Sequence, residues 1–388
     1  MGWVMGRLLE IFLVALKLGV TSFGGPVAHL GYFRAEYVEK RKWLSDKVYQ
    51  DLVSLCQFLP GPASSQVGIG IGLMRGGILG AILAFLGFTL PSVFVLIASV
   101  YFMKALDMDL DFIKGLLIVA IAVVLHALVG MGKTTLNNLT AIMIFLLSLV
   151  TALVFPTAFT QILIIITSGL IGMLLYKVET KKDAPISIQV SKSMSIAALI
   201  LLVILMIGLP IIAQVINNEW LHMFDRLFRG GLLVFGGGHV VLPLLQSAFV
   251  PDMMDIDTFL AGYGLTQAMP GPLFTFGSFV GASLFGVIGG LVAMVAIFLP
   301  AFLLVIGTLP FWAVIREHRL MKQALKGINA GVIGILGAAW INPIIMHTVT
   351  HWMDVVFSLI LFVLLYFVKL PPWVIVVLGI IIGFVFYR

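Results

Sequence analysis

Apolar residues along this chain come in long unbroken runs rather than in narrow stripes, and a helix needs about 17 to 25 such residues to cross a bilayer. Runs of that kind lie near residues 8–33, 51–74, 77–103, 112–132, 139–155, 160–177, 195–216, 230–250, 258–283, 285–313, 325–345, 350–368 and 371–387. They predict an all-α polytopic membrane protein of about 10 to 13 helical segments. The opening run from Ile11 to Val20 is followed by no small-residue cleavage site, so it reads as a first span and not as a signal peptide. Long polar stretches are confined to 34–51 and 177–192, and the second, with Pro185, reads as a linker.

A repeat is visible in the same pattern. Phe23-Gly24-Gly25-Pro26 with His29 returns as Phe235-Gly236-Gly237-Gly238-His239, and Gln57-Phe58-Leu59-Pro60-Gly61-Pro62 returns as Gln267-Ala268-Met269-Pro270-Gly271-Pro272. Pro91 returns as Pro300 and Lys114-Gly115 as Lys326-Gly327, so four landmarks recur in one order at offsets of 209 to 212. The expected organisation is a first repeat over 1–180, a linker with a connecting hydrophobic segment over 181–217, and a second repeat over 218–388. Two such copies are a common construction of secondary transporters.

Charge predicts how the copies face. If each Pro-Gly-Pro segment dips into the membrane and returns, one face of the first half collects Arg34, Lys40, Arg41, Lys42, Lys47, Arg75, Lys133, Lys177, Lys181, Lys182 and Lys192, against Arg7, Lys104 and Lys114 on the other. In the second half the face equivalent to the rich one holds Arg388, and the other holds Arg226, Arg229, Arg316, Arg319, Lys322, Lys326 and Lys369. Under the positive-inside rule a bias reversed between copies means inverted repeats with broken or re-entrant helices. The run 195–216 adds a crossing that undoes the inversion in this scheme unless Pro210 splits it, so the parity stays open.

Composition narrows the class. Of 388 residues 61% are hydrophobic and 10% charged, where soluble domains carry about 25% charged residues. A water-soluble enzyme, a disordered chain and a coiled coil are excluded. The formal charge of +6 falls in short clusters between apolar runs and is better spent orienting spans than binding nucleic acid. Cys56 is the single cysteine, which excludes an internal disulfide and a CxxC metal site, and no metal or cofactor motif is present.

The candidate chemistry sits at the repeated motifs. Proline stops a helix and glycine permits a sharp turn, so Pro60, Gly61 and Pro62, and again Pro270, Gly271 and Pro272, break the backbone inside apolar sequence. Irregular backbone at membrane depth is tolerated where it lines a cavity. The half-helix that follows presents free N–H groups and the positive end of its dipole, which favours an anion. Ser64 and Ser65, or Thr275 and Ser278, add hydroxyl donors, and Gln57 and Gln267 precede the breaks. Gly24 and Gly25, with Gly236 and Gly237, offer further exposed N–H groups, and His29 and His239 follow as oxyanion donors and as candidate carriers of coupled protons. The acidic residues lie in loops or near span ends, which leaves no mid-span carboxylate relay and favours an anion as substrate. Arg75 reads as a span-end anchor, with anion ligation as its alternative. The phosphate-loop imitation at Gly130-Met131-Gly132-Lys133-Thr134 follows a span, not a strand, and does not imply ATP.

On these residues the sequence resembles the chromate ion transporter family in its two-domain, long-chain form. TSFGGPVAHLGYFR, RKWLSDKVYQDLVSLCQFLPGPASSQVGIGIGL and GFTLPS resemble the first-domain pattern, and VFGGGHVVLPLL, FLAGYGLTQAMPGPLFTFGSFVGASLFG and IFLPAFLLVIGTLPFW the second. The resemblance implies a multi-pass carrier of the inner membrane that exports chromate, driven by the proton gradient, and so confers chromate resistance. It implies sulfate as a look-alike anion, and a sulfate or other oxyanion transporter, importing or exporting, is the alternative. The partners expected are the anion, protons and the lipid bilayer, with a homodimer left open. A membrane-embedded chromate reductase is the reading from another class, disfavoured by the single cysteine and the lack of a haem, flavin or metal motif.

Overall fold

A computed structural model describes residues 2–105, 110–177, 191–235, 238–312 and 318–387. Among them every regular element is helical. In chain order these are α1 (Gly2–Thr21), α2 (Gly25–Phe33) running on into a π-helix (Arg34–Lys40), α3 (Asp46–Phe58), α4 (Ala63–Ala105) and α5 (Leu110–Thr135). Then come α6 (Leu139–Val154), α7 (Ala158–Leu175), α8 (Lys192–Ile216), α9 (Glu219–Leu232), α10 (Val241–Phe249) and α11 (Ile256–Thr266). The chain closes with α12 (Phe276–Thr308), α13 (Arg319–Ala339) with a π-helix (Trp340–Ile345), α14 (Trp352–Tyr366) and α15 (Pro372–Phe386). Six helical segments among the described residues are long and apolar enough to cross a membrane. The protein is a multi-pass membrane protein, as its composition requires.

The helices form two compact units. Unit 1 comprises Met1–Val95, Glu179–Gly238 and Pro270–His318, and unit 2 comprises Leu96–Val178, His239–Met269 and Arg319–Arg388. Each draws on both halves of the sequence, so the compact units cross-cut the sequence repeats.

Unit 1 is built from helices that turn back. The first apolar run, expected as one span over 8–33, is folded at Ser22–Gly24, because Gly24 and Gly25 adopt φ of 97° and 76° and end α1. The two arms lie side by side: Lys17 pairs with Glu36 at 2.6 Å and Glu10 with Arg41 at 2.9 Å. A second reversal divides α4. Gly76 and Gly77 leave helical geometry, with Gly77 at φ 62° and ψ −155°, a combination essentially reserved for glycine. A straight helix would hold residues eight apart about 12 Å from each other, yet Gly72 and Gly80 pack backbone to backbone with no room for a Cβ on either. Phe285 and Gly286 repeat the same bend in α12, with Gly286 at φ 69° and ψ −157°, and Gly281 and Gly289 repeat the contact. The first leg of α4 returns beside α3, since a Cβ on Gly70 would lie 2.7 Å from the Leu52 side chain. Each of these two arms is about 20 Å long by its residue count, short of the roughly 30 Å hydrocarbon layer, so neither crosses alone.

The connector α8 is continuous through Pro210, so Pro210, left open as a point of division, does not split it. It docks on α12 through Ser195, whose hydroxyl donates to the Ile306 carbonyl at 2.7 Å, and turns Ile200, Ile204, Ile207 and Ile211 outward as a lipid-facing side.

Unit 2 packs through small residues, as membrane helices do where lipid removes the hydrophobic drive between them. Gly327 lies against the α7 backbone at Ser168 and Gly172, Gly334 against α6 at Phe145 and Ser148, and Gly115 against Gly379 of α15. Lys114 of α5 is 3.0 Å from the fully buried Asp354 at the start of α14 and donates to Thr350 Oγ1 at 2.9 Å.

Candidate functional site

The Pro-Gly-Pro breaks are the tips of the reversals in unit 1. α3 ends at Phe58, Leu59 is extended, Gly61 takes φ 109°, and α4 starts at Ala63. Gly271 takes φ 89°, Pro272 is extended, and a short 3-10 turn (Leu273–Thr275) leads into α12. Proline has no N–H and cannot be bridged by helical hydrogen bonds, so the glycine N–H between two prolines must find a partner elsewhere. Both find it in the other repeat. Gly61 N–H donates to the Val234 carbonyl at 2.7 Å, and Gly271 N–H donates to the Ser22 carbonyl at 2.9 Å. Ser22 and Val234 are themselves equivalent, at an offset of 212, each just before its Phe-Gly-Gly motif. The two motifs singled out in the sequence are therefore held together crosswise, each tip on the other copy's chain break.

Around the Gly271 tip stand residues of the first repeat. A Cβ on Gly271 would lie 3.1 Å from Ser92 Oγ and 3.2 Å from the Phe88 carbonyl. The His29 imidazole meets Phe88 edge to face with ring centres 5.4 Å apart, and its Nδ1 shares a 3.2 Å hydrogen bond with Ser64 Oγ at the start of α4. Ser22, His29, Ser64, Ser65, Gln66, Thr89 and Ser92 are all buried. Five of them keep a buried polar atom without a hydrogen-bond partner among the described residues: Ser22 Oγ, His29 Nε2, Ser65 Oγ, Gln66 Oε1 and Thr89 Oγ1. Buried polar groups are normally satisfied, so a concentration of open ones asks for a ligand or water. The group offers hydroxyls, an imidazole and the N-terminal N–H groups of the α4 leg, the neutral donor set that suits an oxyanion.

Other expected residues fall elsewhere. Thr275 is buried, but its hydroxyl is spent on the Pro272 carbonyl at 2.6 Å, whereas buried Ser278 keeps an unpartnered Oγ. Gln57 is exposed on α3, and the glutamine that serves the first tip is Gln66, whose Nε2 donates to the Pro60 carbonyl at 2.7 Å. His239 and Gln267 belong to unit 2, where His239 Nδ1 lies 2.8 Å from the Tyr263 hydroxyl. The two histidines, equivalent by motif, thus have unlike partners. Gly236 and Gly237 lie outside the described residues. Sequence reasoning passed over Ser22, Gln66, Thr89 and Ser92. A signal existed for two of them, since Thr89 and Ser92 flank the recurrent Pro91 within an otherwise apolar run.

Charged residues near unit 1 are tied down. Arg75 is 2.9 Å from Glu10 and lies 4.0 Å over the Trp43 ring, partners that suit the anchor reading. Burial alone would raise the Glu36 carboxyl, but Lys17 and Arg41 outweigh it and hold the group below its usual range. One expectation about acids is corrected: Asp225 lies within α9, buried and ion-paired to Arg229, instead of in a loop.

Comparison with known proteins gives the following. The family model described as chromate transporter matches residues 9–173 and 221–384, one match in each half. An uncharacterized transporter of Methanocaldococcus jannaschii is 27% identical over 385 residues, 97% of this chain and 94% of that protein. A chromate transport protein of Pseudomonas aeruginosa is 27% identical over 86% of this chain and 80% of its own length, and a probable one of Synechococcus elongatus 27% over 84% and 81%. No solved structure matches the chain.

Proposed function

The chain belongs to the chromate transporter family, and from that premise we propose that it is a secondary transporter of the inner membrane that exports chromate, driven by the proton gradient, and thereby confers chromate resistance. The observation that carries the choice of a tetrahedral oxyanion is the set of buried, unpartnered polar atoms on Ser22, which holds the Gly271 tip, on Thr89, next in sequence to Phe88 at that tip, on Ser65 at the start of α4, and on His29, bonded to Ser64 there. An oxyanion entering there gains hydroxyl and backbone donors together with the positive end of the α4 leg, while the surrounding apolar helices keep those interactions strong. In this reading the hairpin tips, joined through Gly61 to Val234 and Gly271 to Ser22, are where the two repeats part and rejoin as the site opens to one side and then the other. His29, buried and in hydrogen-bond contact with Ser64, is the group placed to carry a proton with or against the anion, and His239 is the second candidate.

Sulfate transport is the alternative, because chromate and sulfate are tetrahedral dianions of similar size and neutral donors separate isosteres weakly. Anion uptake into everted membrane vesicles with an imposed proton gradient tests both. Chromate uptake that needs the gradient and withstands excess sulfate is the expected result. Gradient-linked sulfate movement without chromate uptake discards the substrate, and His29→Gln with an unchanged pH profile removes that histidine from coupling.

A further inference from the structure

The repeat offset allows the two tips of unit 1 to be compared wall by wall. The wall at Gly271 is made by Gly19, Ser22, Phe88 and Ser92, with Thr89 between the last two. The wall at Gly61 contains Gly231, Val234 and Gln66, whose Nε2 is spent on the Pro60 carbonyl and whose unpartnered Oε1 is an acceptor, and the counterparts of Phe88, Thr89 and Ser92, at an offset of 209, are Ile297, Phe298 and Ala301. The backbones follow one plan: Gly19 lies against the Phe88 carbonyl and Gly231 against the Ile297 carbonyl, neither with room for a side chain.

The side chains do not follow it. Ser22, Thr89 and Ser92 are replaced by Val234, Phe298 and Ala301, all buried. The helix starts differ in the same sense, with Ser64 and Gln66 in the first copy against Phe274 and Phe276 in the second, at an offset of 210. Every one of these second-copy residues is nearly or fully enclosed, and the Phe274 and Phe298 rings meet at a tilt of 46° with 6.1 Å between ring centres. On the first-copy side, hydroxyls of Ser22, Ser65 and Thr89 and the Nε2 of His29 remain open. One wall is left with open donors, whereas its twin offers aromatic and aliphatic carbon and, at Gln66, an open acceptor oxygen that does not suit an anion.

We propose that the transporter holds one oxyanion site per chain, at the Gly271 wall, with Ser22, His29, Ser65 and Thr89 as its donors, and that the matching wall at Gly61 is a support that offers no open donor from its own copy. This rests on the oxyanion reading above and goes beyond it by assigning the site to one of two pseudo-equivalent places. The two copies have divided the work: the first supplies the donors, and the second supplies the tip that Ser22 grips.

Equilibrium binding of radiolabelled chromate, and separately sulfate, to the purified full-length protein in lipid nanodiscs tests the assignment. The expected result is saturation at one anion per chain. Thr89→Val and Ser22→Ala should each weaken binding at least about tenfold, equivalent to about 1.4 kcal/mol, with Thr89→Ser restoring most of the loss, while Phe298→Leu stays within about twofold of the parent. Equal elution and thermal midpoints among the variants separate lost donors from misfolding, and the Thr89→Ser rescue does so independently. Two anions per chain, or full affinity in both Thr89→Val and Ser22→Ala, overturns the single-site assignment alone. Binding of neither anion by the parent protein overturns the oxyanion reading and this proposal with it.

Discussion

Gly61 and Gly271 hold φ of 109° and 89°, where a side chain is strained, and space is short as well as conformation. A Cβ on Gly61 would lie 3.2 Å from the Gly231 carbonyl and 3.1 Å from Gln66 Nε2, and one on Gly271 would press on Ser92 and Phe88. Strained backbone of this kind costs about 1–3 kcal/mol per residue, which the rest of a large membrane fold absorbs, but the interlock at the tip does not. Gly61→Val and Gly271→Val should therefore insert in the membrane at normal yield and lose vesicle uptake of chromate, and full uptake in both would remove the tips from the mechanism. These glycines were legible in the sequence because the prolines on either side advertise a break. Ser22, Gln66 and Thr89 were not, since a lone polar residue in an apolar run does not reveal which distant backbone will come to face it. Gln57 was misplaced for the same reason: its position before the motif was visible, but the face of α3 it occupies was not.

At the scale of elements, the reversals in α4 and α12 depend on glycine pairs that touch across each bend. Gly72 and Gly80 leave no space for a side chain because each lies on the other's backbone, and backbone cannot step aside as a side chain can. Gly76 differs, for its Cβ would meet Ile11 Cδ1 at 2.9 Å, the far end of a flexible side chain. Gly72→Val should accordingly cost more than the roughly 1–3 kcal/mol of ordinary overpacking, seen as loss of the monodisperse peak in fluorescence-detected chromatography, while Gly76→Ala keeps the peak with a small drop in midpoint. Parent-like behaviour of Gly72→Val would mean that the two legs do not pack as described. The bend at residues 76 and 77 could be read in advance, as the gap between the runs 51–74 and 77–103. The fold of α1 back along α2 could not, because the run over 8–33 stays apolar across the turn and two glycines in a membrane segment equally announce close packing. The ion pairs that fasten that turn, Lys17 with Glu36 and Arg41 with Glu10, join residues 19 and 31 positions apart.

For the whole molecule the α1–α2 hairpin changes the parity that the sequence left open. A first run that returns to its own side contributes no crossing, so if the second leg of α4, then α5, α6, α7 and the unbroken α8 each cross, an odd number of passes precedes α9. An odd number would start the second repeat on the opposite face, and the inverted arrangement that the charge bias predicts is the expectation to be tested. It also moves Arg7 onto the face that already holds Arg34, Lys40, Arg41, Lys42, Lys47 and Arg75, a bias that the positive-inside rule assigns to the cytoplasm. The equivalent bends at 77 and 286 should then lie on opposite sides of the membrane. Leu79 and Ile288 stand at these bends with 61% and 67% of their surface exposed, so each reports on its side. In a chain with the buried Cys56 changed to alanine, Ile288→Cys should react with a membrane-impermeant maleimide added to intact cells, and Leu79→Cys should react only after permeabilisation. Labelling of both from one side would make the repeats parallel, and the crosswise hold of each tip on the other copy would then need an axis along the membrane normal instead of one within its plane.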